Sequence, residues 1–561
     1  MLGPRVTGSE QLGEIKRLFE MLYDDVLKLI GEFGRYQKIL SIPVCIEPLS
    51  LALMVMVTVF SLATPPHRCK LPGFENDTYH QQSDYHGNLI NQSIPQSSSC
   101  LLRNTTVDKY GNMTSVEYKC GSWVYDTSTY MSTLVTEFNM VCDDDILRNN
   151  AIMITFLGLV FSCSIISNFA DRFGRYPVMV ISNVLVVTSA YLLVWTPNYI
   201  FLVIVRFFVG IGLGGQLIAI FTIGVEIVGP SKRRFTGVLF HLGWCLGVLV
   251  IAMLGYCIRN WRYLQLAAAV LTSHHLFYFL MLPESPRWLL TRGQLDKART
   301  LIKKAADINK TIITDDVLLK LRVSETPATA KFWKLCSTRK LTARTLAIYF
   351  VWFSVSVTYF GIMLNLEFLV GNIYLNLSLT AVIEVICYIF VMLMVDKSGR
   401  KKLICGCYSL QILSLIAVIF ILLYVPPDLN WLMTVFTLIG QCGTICSFAI
   451  VWLWTSELFP TELRNVGTGT GSASARVGAL VAPYLELLSK LVPGRFKEVS
   501  PFVFFGIICM VCLVLIVCVL PETNKQKLPD TVDDAGRLEH RSGETRDKDE
   551  TVEMLGTNSK C

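Results

Sequence analysis

The chain has 561 residues, 52% hydrophobic and 17% charged, with a mean hydropathy of +0.49 and a formal charge of +7. Such a composition excludes an ordinary soluble enzyme of this size and places the chain in a lipid bilayer. The Lys and Arg residues sit in particular loops and form no patch interleaved with exposed aromatics, which argues against a nucleic-acid partner.

Residues 1–38 are polar, with a short amphipathic helix expected over Glu10–Ile30 and no apolar core of a cleavable signal, so this segment is read as cytoplasmic. The first transmembrane helix is expected at 39–62, close to the ~20 apolar residues a hydrocarbon core demands, and it carries Pro43, Glu47 and Pro48. Residues 63–147 form a polar loop with four glycosylation sequons, at Asn76, Asn91, Asn104 and Asn112, and four cysteines, Cys69, Cys100, Cys120 and Cys142. Sequons and cysteines concentrated in one loop predict a glycosylated, disulfide-bonded extracellular segment, with three pairings open to the four thiols.

Residues 148–282 hold five further apolar spans, near 149–169, 176–195, 199–225, 236–257 and 261–282. A charged stretch at 283–343 reads as a cytoplasmic linker with short helices at Leu295–Ala306 and Asp315–Leu321. Residues 344–520 supply six more spans, near 345–364, 373–395, 403–425, 429–454, 466–491 and 502–520, and the charged tail 521–561 reads as disordered. The basic residues alternate between successive loops, which predicts both termini in the cytoplasm; the loops at Arg259 with Arg262 and at Lys490 with Arg495 and Lys497 break the pattern mildly.

Asn168–Pro177 reads NFADRFGRYP and has an echo at Val395–Lys402, VDKSGRKK. Asp171, Gly174 and Arg175 thus match Asp396, Gly399 and Arg400 at an offset of 225 residues. Glu226 with Arg233 and Arg234 matches Glu457 with Arg464, and Pro283-Glu284 matches Pro521-Glu522. Parallel repeats in a helical membrane protein mark a secondary transporter whose two halves rock about a central site. The duplicated Asp and Glu partners make these loops candidate charge latches, with the glycines allowing close approach. Orientation by positive charge alone is the plainer alternative.

DRFGRYP and DKSGRKK resemble the repeated loop signature of the major facilitator superfamily, and PESPRWLL at Pro283–Leu290 resembles its sugar- and organic-ion-carrying branch. STLVTEFNMVC (Ser132–Cys142) and SELFPTELRNVGTG (Ser456–Gly469) are similar to the organic ion transporters of solute carrier family 22. The likeness runs from about Phe33 to Pro529, and it departs from the family in the loop, which has four cysteines where the family often shows six. The resemblance implies an all-α membrane protein of the major facilitator fold, with twelve transmembrane helices in two pseudo-symmetric six-helix halves. It also implies a plasma-membrane carrier of organic cations, anions or zwitterions such as carnitine, and motif loops that latch the outward-open state.

Substrate chemistry must come from polar groups at membrane depth, where an ionised side chain costs about 2.5–3.5 kcal/mol on insertion scales. The candidates are Glu384, Arg476, Arg206, Gln216, His241, Gln441 and Glu47. Helical spacing puts Trp352 with Tyr359, Glu384 with Tyr388, and Gln441 with Phe448 and Trp452 on common faces. Rings beside one carboxylate suit a bulky organic cation; packing or lipid contact is the plainer alternative for any one ring. Arg476 would repel such a cation, and the resemblance accounts for it: dedicated cation carriers have Asp at the matching place, whereas anion and carnitine-type carriers have Arg. A zwitterion satisfies both charges. The structural alternative has Arg476 capping carbonyls or pairing with Glu47.

His241, His274 and His275 lack partners at metal-ligand spacing, Gly210 and Gly214 suit close helix packing, and no catalytic constellation or nucleotide loop is found. No cofactor and no enzymatic activity are expected. The expected partners are the bilayer, a small organic ion, and a coupled ion such as sodium or an exchanged solute. The alternatives are an organic-anion exchanger using Arg476 and a non-transporting membrane receptor or scaffold.

Overall fold

A computed structural model describes residues 23–95, 98–107, 113–319, 332–364, 369, 371–460, 463–485, 489, 492, 494–524, 526 and 529. Twelve helices carry the architecture. The first half contains α1 (Arg35–Ser61), α2 (Asp145–Phe161), α3 (Arg175–Val194), α4 (Tyr199–Ile227), α5 (Arg233–Cys257) and α6 (Trp261–Thr272). Helix α2 runs on through a π turn at Ser162–Ile166 to Phe173, and α6 continues through a 3-10 turn at Ser273–Phe277 to Met281. The second half contains α7 (Arg339–Met363), α8 (Ile373–Ser398), α9 (Arg400–Tyr424), α10 (Trp431–Leu458), α11 (Arg464–Val481) and α12 (Ser500–Val519). Most of Glu10–Ile30, Asn112 and nearly all of the tail 521–561 lie outside the described residues; Tyr23–Leu29 is helical.

Eleven of these helices are long and apolar enough to cross a membrane. The remaining one, α11, has 18 residues rich in Gly, Ser and Thr. Its small residues serve close packing: a Cβ at Gly471 would come within 2.7 Å of Trp352 Nε1 on α7, and one at Gly478 within 2.5 Å of the Phe353 carbonyl. Gly210 of α4 is likewise seated on the backbone of α2 at Thr155 and Gly158. In lipid, where apolar surface gives little drive to associate, such close approach supplies the packing energy.

Between α1 and α2 lies an insert with two small antiparallel sheets. Strand β1 (His67–Cys69) pairs with β4 (Trp123–Tyr125), and β2 (Leu101–Val107) pairs with β3 (Met113–Lys119). Cys69 is bonded to Cys120 and Cys100 to Cys142, which fixes one of the three possible pairings. Closing loops of 51 and 42 residues stabilises a segment this poor in core by about 4 kcal/mol each in chain-entropy terms. Inside it the Arg68 guanidinium and the His86 ring both contact the Asp77 carboxylate, which also accepts the Leu71 N–H at 2.8 Å. Asn76, Asn91 and Asn104 are exposed on the insert.

The motif Ser132–Cys142 docks the insert onto the first half. Thr133 and Thr136 cap each other around a short helix, Leu134–Phe138, and this points Glu137 at the start of α6. Glu137 accepts a hydrogen bond from Trp261 Nε1 at 2.8 Å and pairs with Arg262. The Met131 N–H donates to the Arg259 carbonyl at 3.0 Å, and the Trp261 N–H to the Ser132 carbonyl at 3.2 Å.

Hydrogen bonds and ring contacts between the halves run from mid-depth to the insert face. Tyr484 donates to Asn150 at 2.6 Å, Phe60 stacks on Tyr374 at 5.4 Å, and Phe156 meets Phe360 at 4.9 Å. At the opposite face, which carries the repeated motifs, a separate apolar cluster is built from the first half, the short helix Tyr23–Leu29 and the linker helices.

Candidate functional site

The two motif loops are built alike. Each has a glycine between two helices in a backbone conformation that side chains rarely adopt, Gly174 with φ 111° before α3 and Gly399 with φ 85° before α9. The helix that follows begins with unpaired N–H groups, which a carboxylate satisfies and whose positive end it stabilises. Glu284 accepts the Arg175 and Tyr176 N–H groups at 3.0 and 3.1 Å; Glu522 accepts those of Arg400 and Lys401, both at 3.0 Å. A Cβ on either glycine would collide with that carboxylate.

The arginine side chains turn back toward their own half. Arg175 pairs with Asp171 at 3.0 Å and Glu226 at 3.6 Å; Arg400 pairs with Asp396 at 3.0 Å and Glu457 at 2.9 Å. All four pairs are made within one half. Arg233 pairs with Asp24 of the short helix Tyr23–Leu29 at 2.7 Å, instead of with Glu226. Among the described residues, Nε and one terminal nitrogen of Arg464 are buried without a hydrogen-bond partner. Arg234 lies in α5, but its side chain is outside the described residues.

At mid-depth the structure brings together most of the expected substrate residues. Tyr359 of α7 donates to Glu384 of α8 at 2.6 Å and accepts from Trp244 Nε1 of α5 at 2.9 Å. The other Glu384 oxygen accepts the Cys245 thiol at 3.5 Å. The His241 ring lies 4.8 Å from that of Tyr388 and 6.4 Å from that of Phe448. Trp352 meets Phe448 and Trp452 edge-on at 6.0 and 4.7 Å, and its own N–H donates to Thr455 at 2.9 Å. Glu384 and Trp352 are fully buried, and Tyr359 and Tyr388 nearly so. This is a wall of rings around one carboxylate, contributed by α5 of the first half and α7, α8 and α10 of the second.

Two expected members stand apart from that chain of contacts. Gln441 is fully buried, and among the described residues neither its side-chain oxygen nor its nitrogen has a hydrogen-bond partner. Arg476 of α11 donates to the Ser472 carbonyl and hydroxyl at 3.1 and 2.9 Å, while its Nε has no partner among the described residues. Among the described residues, neither oxygen of the fully buried Glu47 has a hydrogen-bond partner. The alternative that paired Glu47 with Arg476 is therefore not realised, whereas carbonyl capping by Arg476 is.

The sequence offers His241 as a polar candidate at membrane depth but does not single out its neighbours Trp244 and Cys245. Their signal was weak: a polar-aromatic cluster on α5, three and four residues apart, whose partners lie more than a hundred residues away. Glu284 and Glu522 had a clearer signal in the repeat of the Pro-Glu pair, to which sequence alone attached no role.

Two halves of six helices, repeated motif loops at one face and a polar-aromatic cluster where the halves meet define a membrane transporter of the major facilitator class. Residues 105–531 match the family described as sugar (and other) transporter. A protein of Drosophila melanogaster named organic cation transporter protein is 32% identical over 558 residues, covering 96% of this chain and 99% of its own. The human organic cation/carnitine transporter 2 is 28% identical, covering 92% and 94%. The chain belongs to the sugar (and other) transporter family and, within it, to the organic ion transporters of solute carrier family 22. In fold it is similar to the xylose transporter XylE from E. coli in a partially occluded inward-open conformation, with a TM-score of 0.59 at 15% identity, covering 88% of this chain and 100% of that one. It is a multi-pass membrane transporter and not an enzyme.

Proposed function

We propose that the protein moves small organic cations and zwitterions, carnitine among them, across the plasma membrane by alternating access, with broad selectivity and both termini in the cytoplasm. The observation that carries this reading is Glu384, fully buried where the halves meet and hydrogen-bonded by Tyr359, in a cluster whose further ring contacts run through Trp244, His241, Tyr388 and Phe448. Attraction of a cation to a desolvated ring contributes about 2 kcal/mol. Rings also accept varied shapes without fixed hydrogen-bond geometry, which favours breadth over selectivity. Among the described residues the hydrogen bonds of Arg476 stay within its own helix, and its remaining N–H groups serve the carboxylate of a zwitterion. Asp171, Gly174, Arg175, Glu226, Arg233 and Arg234, with Asp396, Gly399, Arg400, Glu457 and Arg464, act in gating by keeping the motif-face end of each half rigid while the halves rock.

Membrane potential supplies about 2.3 kcal/mol per charge per 100 mV, enough to concentrate a monovalent cation. A net-neutral zwitterion gains nothing from it, so sodium or an exchanged internal solute does that work. The free side of Arg476 also favours a second reading, exchange of organic anions. The deciding experiment is uptake of labelled carnitine, tetraethylammonium and a small aromatic carboxylate, with and without sodium, in wild type, Glu384→Gln and Arg476→Ala. Carnitine uptake lost in both variants is the expected result. Carboxylate uptake alone, indifferent to Glu384, would replace this reading with the anion exchanger.

A further inference from the structure

Beneath the insert is a cavity of about 880 Å³ that shares no lining residue with the cluster around Glu384. Three parts of the molecule wall it: Tyr79, Asp126 and Tyr130 from the insert, Tyr256 and Arg259 from the end of α5 and the turn after it, and Tyr374 from the first turn of α8. Its volume falls within the range of about 300–1,000 Å³ that pockets for small molecules occupy.

The two charges in this wall are held at opposite ends of one residue. Asp126 accepts the Ser128 N–H at 2.8 Å, and Arg259 donates to the Ser128 carbonyl at 3.1 Å. A carboxylate and a guanidinium thus stand about one residue apart on a fixed backbone. The Ser128 N–H holds the Asp126 carboxyl below the ordinary carboxylate range, so it is ionised at neutral pH. Four tyrosine rings complete the lining, and the Tyr374 hydroxyl is buried without a hydrogen-bond partner among the described residues. Tyr374 stacks on Phe60 at 5.4 Å and meets Tyr256 edge-on at 5.6 Å, so the residues under the cavity also join the two halves.

We infer that this cavity is an outer binding site for a small organic zwitterion, its ammonium group against Asp126 and the tyrosine rings and its carboxylate on Arg259. Tyr256, Tyr374 and Phe60 are the barrier between it and the central cluster. The ligand class extends the transport reading above, but occupancy of the outer site does not depend on transport.

The test is a titration of full-length protein in lipid nanodiscs with labelled carnitine, run beside cellular uptake. Four forms are compared: wild type, Glu384→Gln/Arg476→Gln, Asp126→Asn/Arg259→Gln, and all four changes together. The central variant is expected to lose uptake yet keep about one bound equivalent, and the outer changes to weaken that equivalent by about tenfold or more, the loss of ~1.4 kcal/mol or more. Absence of binding in the monodisperse central variant overturns the proposal, as does binding in that background that the outer changes leave intact. Because Asp126→Asn/Arg259→Gln also loosens the insert, Tyr79→Phe and Tyr79→Ala give an independent reading. Retained binding in the first and weakened binding in the second support the ring's role, and unchanged binding in the alanine variant rejects it. Wild-type uptake of an aromatic carboxylate alone would sink the transport reading, while carnitine binding sensitive to Asp126 and Arg259 would still establish the outer site.

Discussion

The two motif loops share a backbone and differ in how it is braced. In both, a left-handed glycine turns the chain into a helix whose first N–H groups rest on the Glu of a Pro-Glu pair. In the second half the bracing is dense. Arg400 also donates to Asn524 at 2.7 Å, Thr523 donates to Glu457 at 2.6 Å, and the Arg400 side chain is 6% exposed. In the first half Arg175 stands 3.6 Å from Glu226 and is 12% exposed. There the linker does the bracing: Trp288 Nε1 and Arg292 both donate to the Asp171 carbonyl at 2.8 Å. What was duplicated is the helix start; each half then acquired its own support, from the linker in one and from the start of the tail in the other.

The largest expected effect separates the halves. Arg400→Ala leaves Glu457 and the Val395 carbonyl without their buried partner and should cost about 3 kcal/mol, against about 1–2 kcal/mol for the looser Arg175→Ala. Thermal unfolding followed by fluorescence-detected gel filtration measures both, and equal losses would break the asymmetry. A smaller and matched effect is expected from Glu284→Gln and Glu522→Gln, about 1 kcal/mol each, since both lose a charged acceptor at a helix start. A several-fold difference between them would mean that the shared cradle is not equivalent.

The smallest effect comes from a third arginine–carboxylate cluster, Arg68–Asp77–His86 in the insert, outside the membrane. Burial pushes the Asp77 carboxyl up, but Arg68, the Leu71 N–H and His86 outweigh it and hold it below the ordinary range. Its contribution to stability is therefore complete above the unfolded value of about 3.9 and is lost as pH falls through the folded value. Proteolysis of the insert with disulfides intact should stay constant from neutral pH to about pH 5 and rise only in stronger acid. Loosening near pH 6 would contradict this.

How much of this was legible in the sequence depended on the range of the contact. The Asp-Gly-Arg and Pro-Glu echoes sat at nearly constant offset because the same local turn is built twice, so the pseudo-symmetric fold could be read before any contact was known. The central rings were read only along single helices: Tyr359 and Glu384 were found, but Trp244, which binds Tyr359 across 115 residues, was not. The sequence left Glu226 open to Arg233 or Arg234, and the partner that Arg233 takes, Asp24, lies in a segment read only as an amphipathic helix. The four cysteines admitted three pairings of similar entropy, so the one formed, Cys69 with Cys120 and Cys100 with Cys142, was not legible from their spacing.

The anchoring of the insert to the α5–α6 corner has a practical side. With Glu137 held by Trp261 and Arg262 and two backbone hydrogen bonds beside it, the insert is an outboard extension of the first half. The short segment Gly371–Ile373, ahead of α8, belongs to the second half and faces it across the cavity. A pair of fluorophores on these two sites is thus a built-in ruler of the distance between the halves, read away from the central cluster around Glu384.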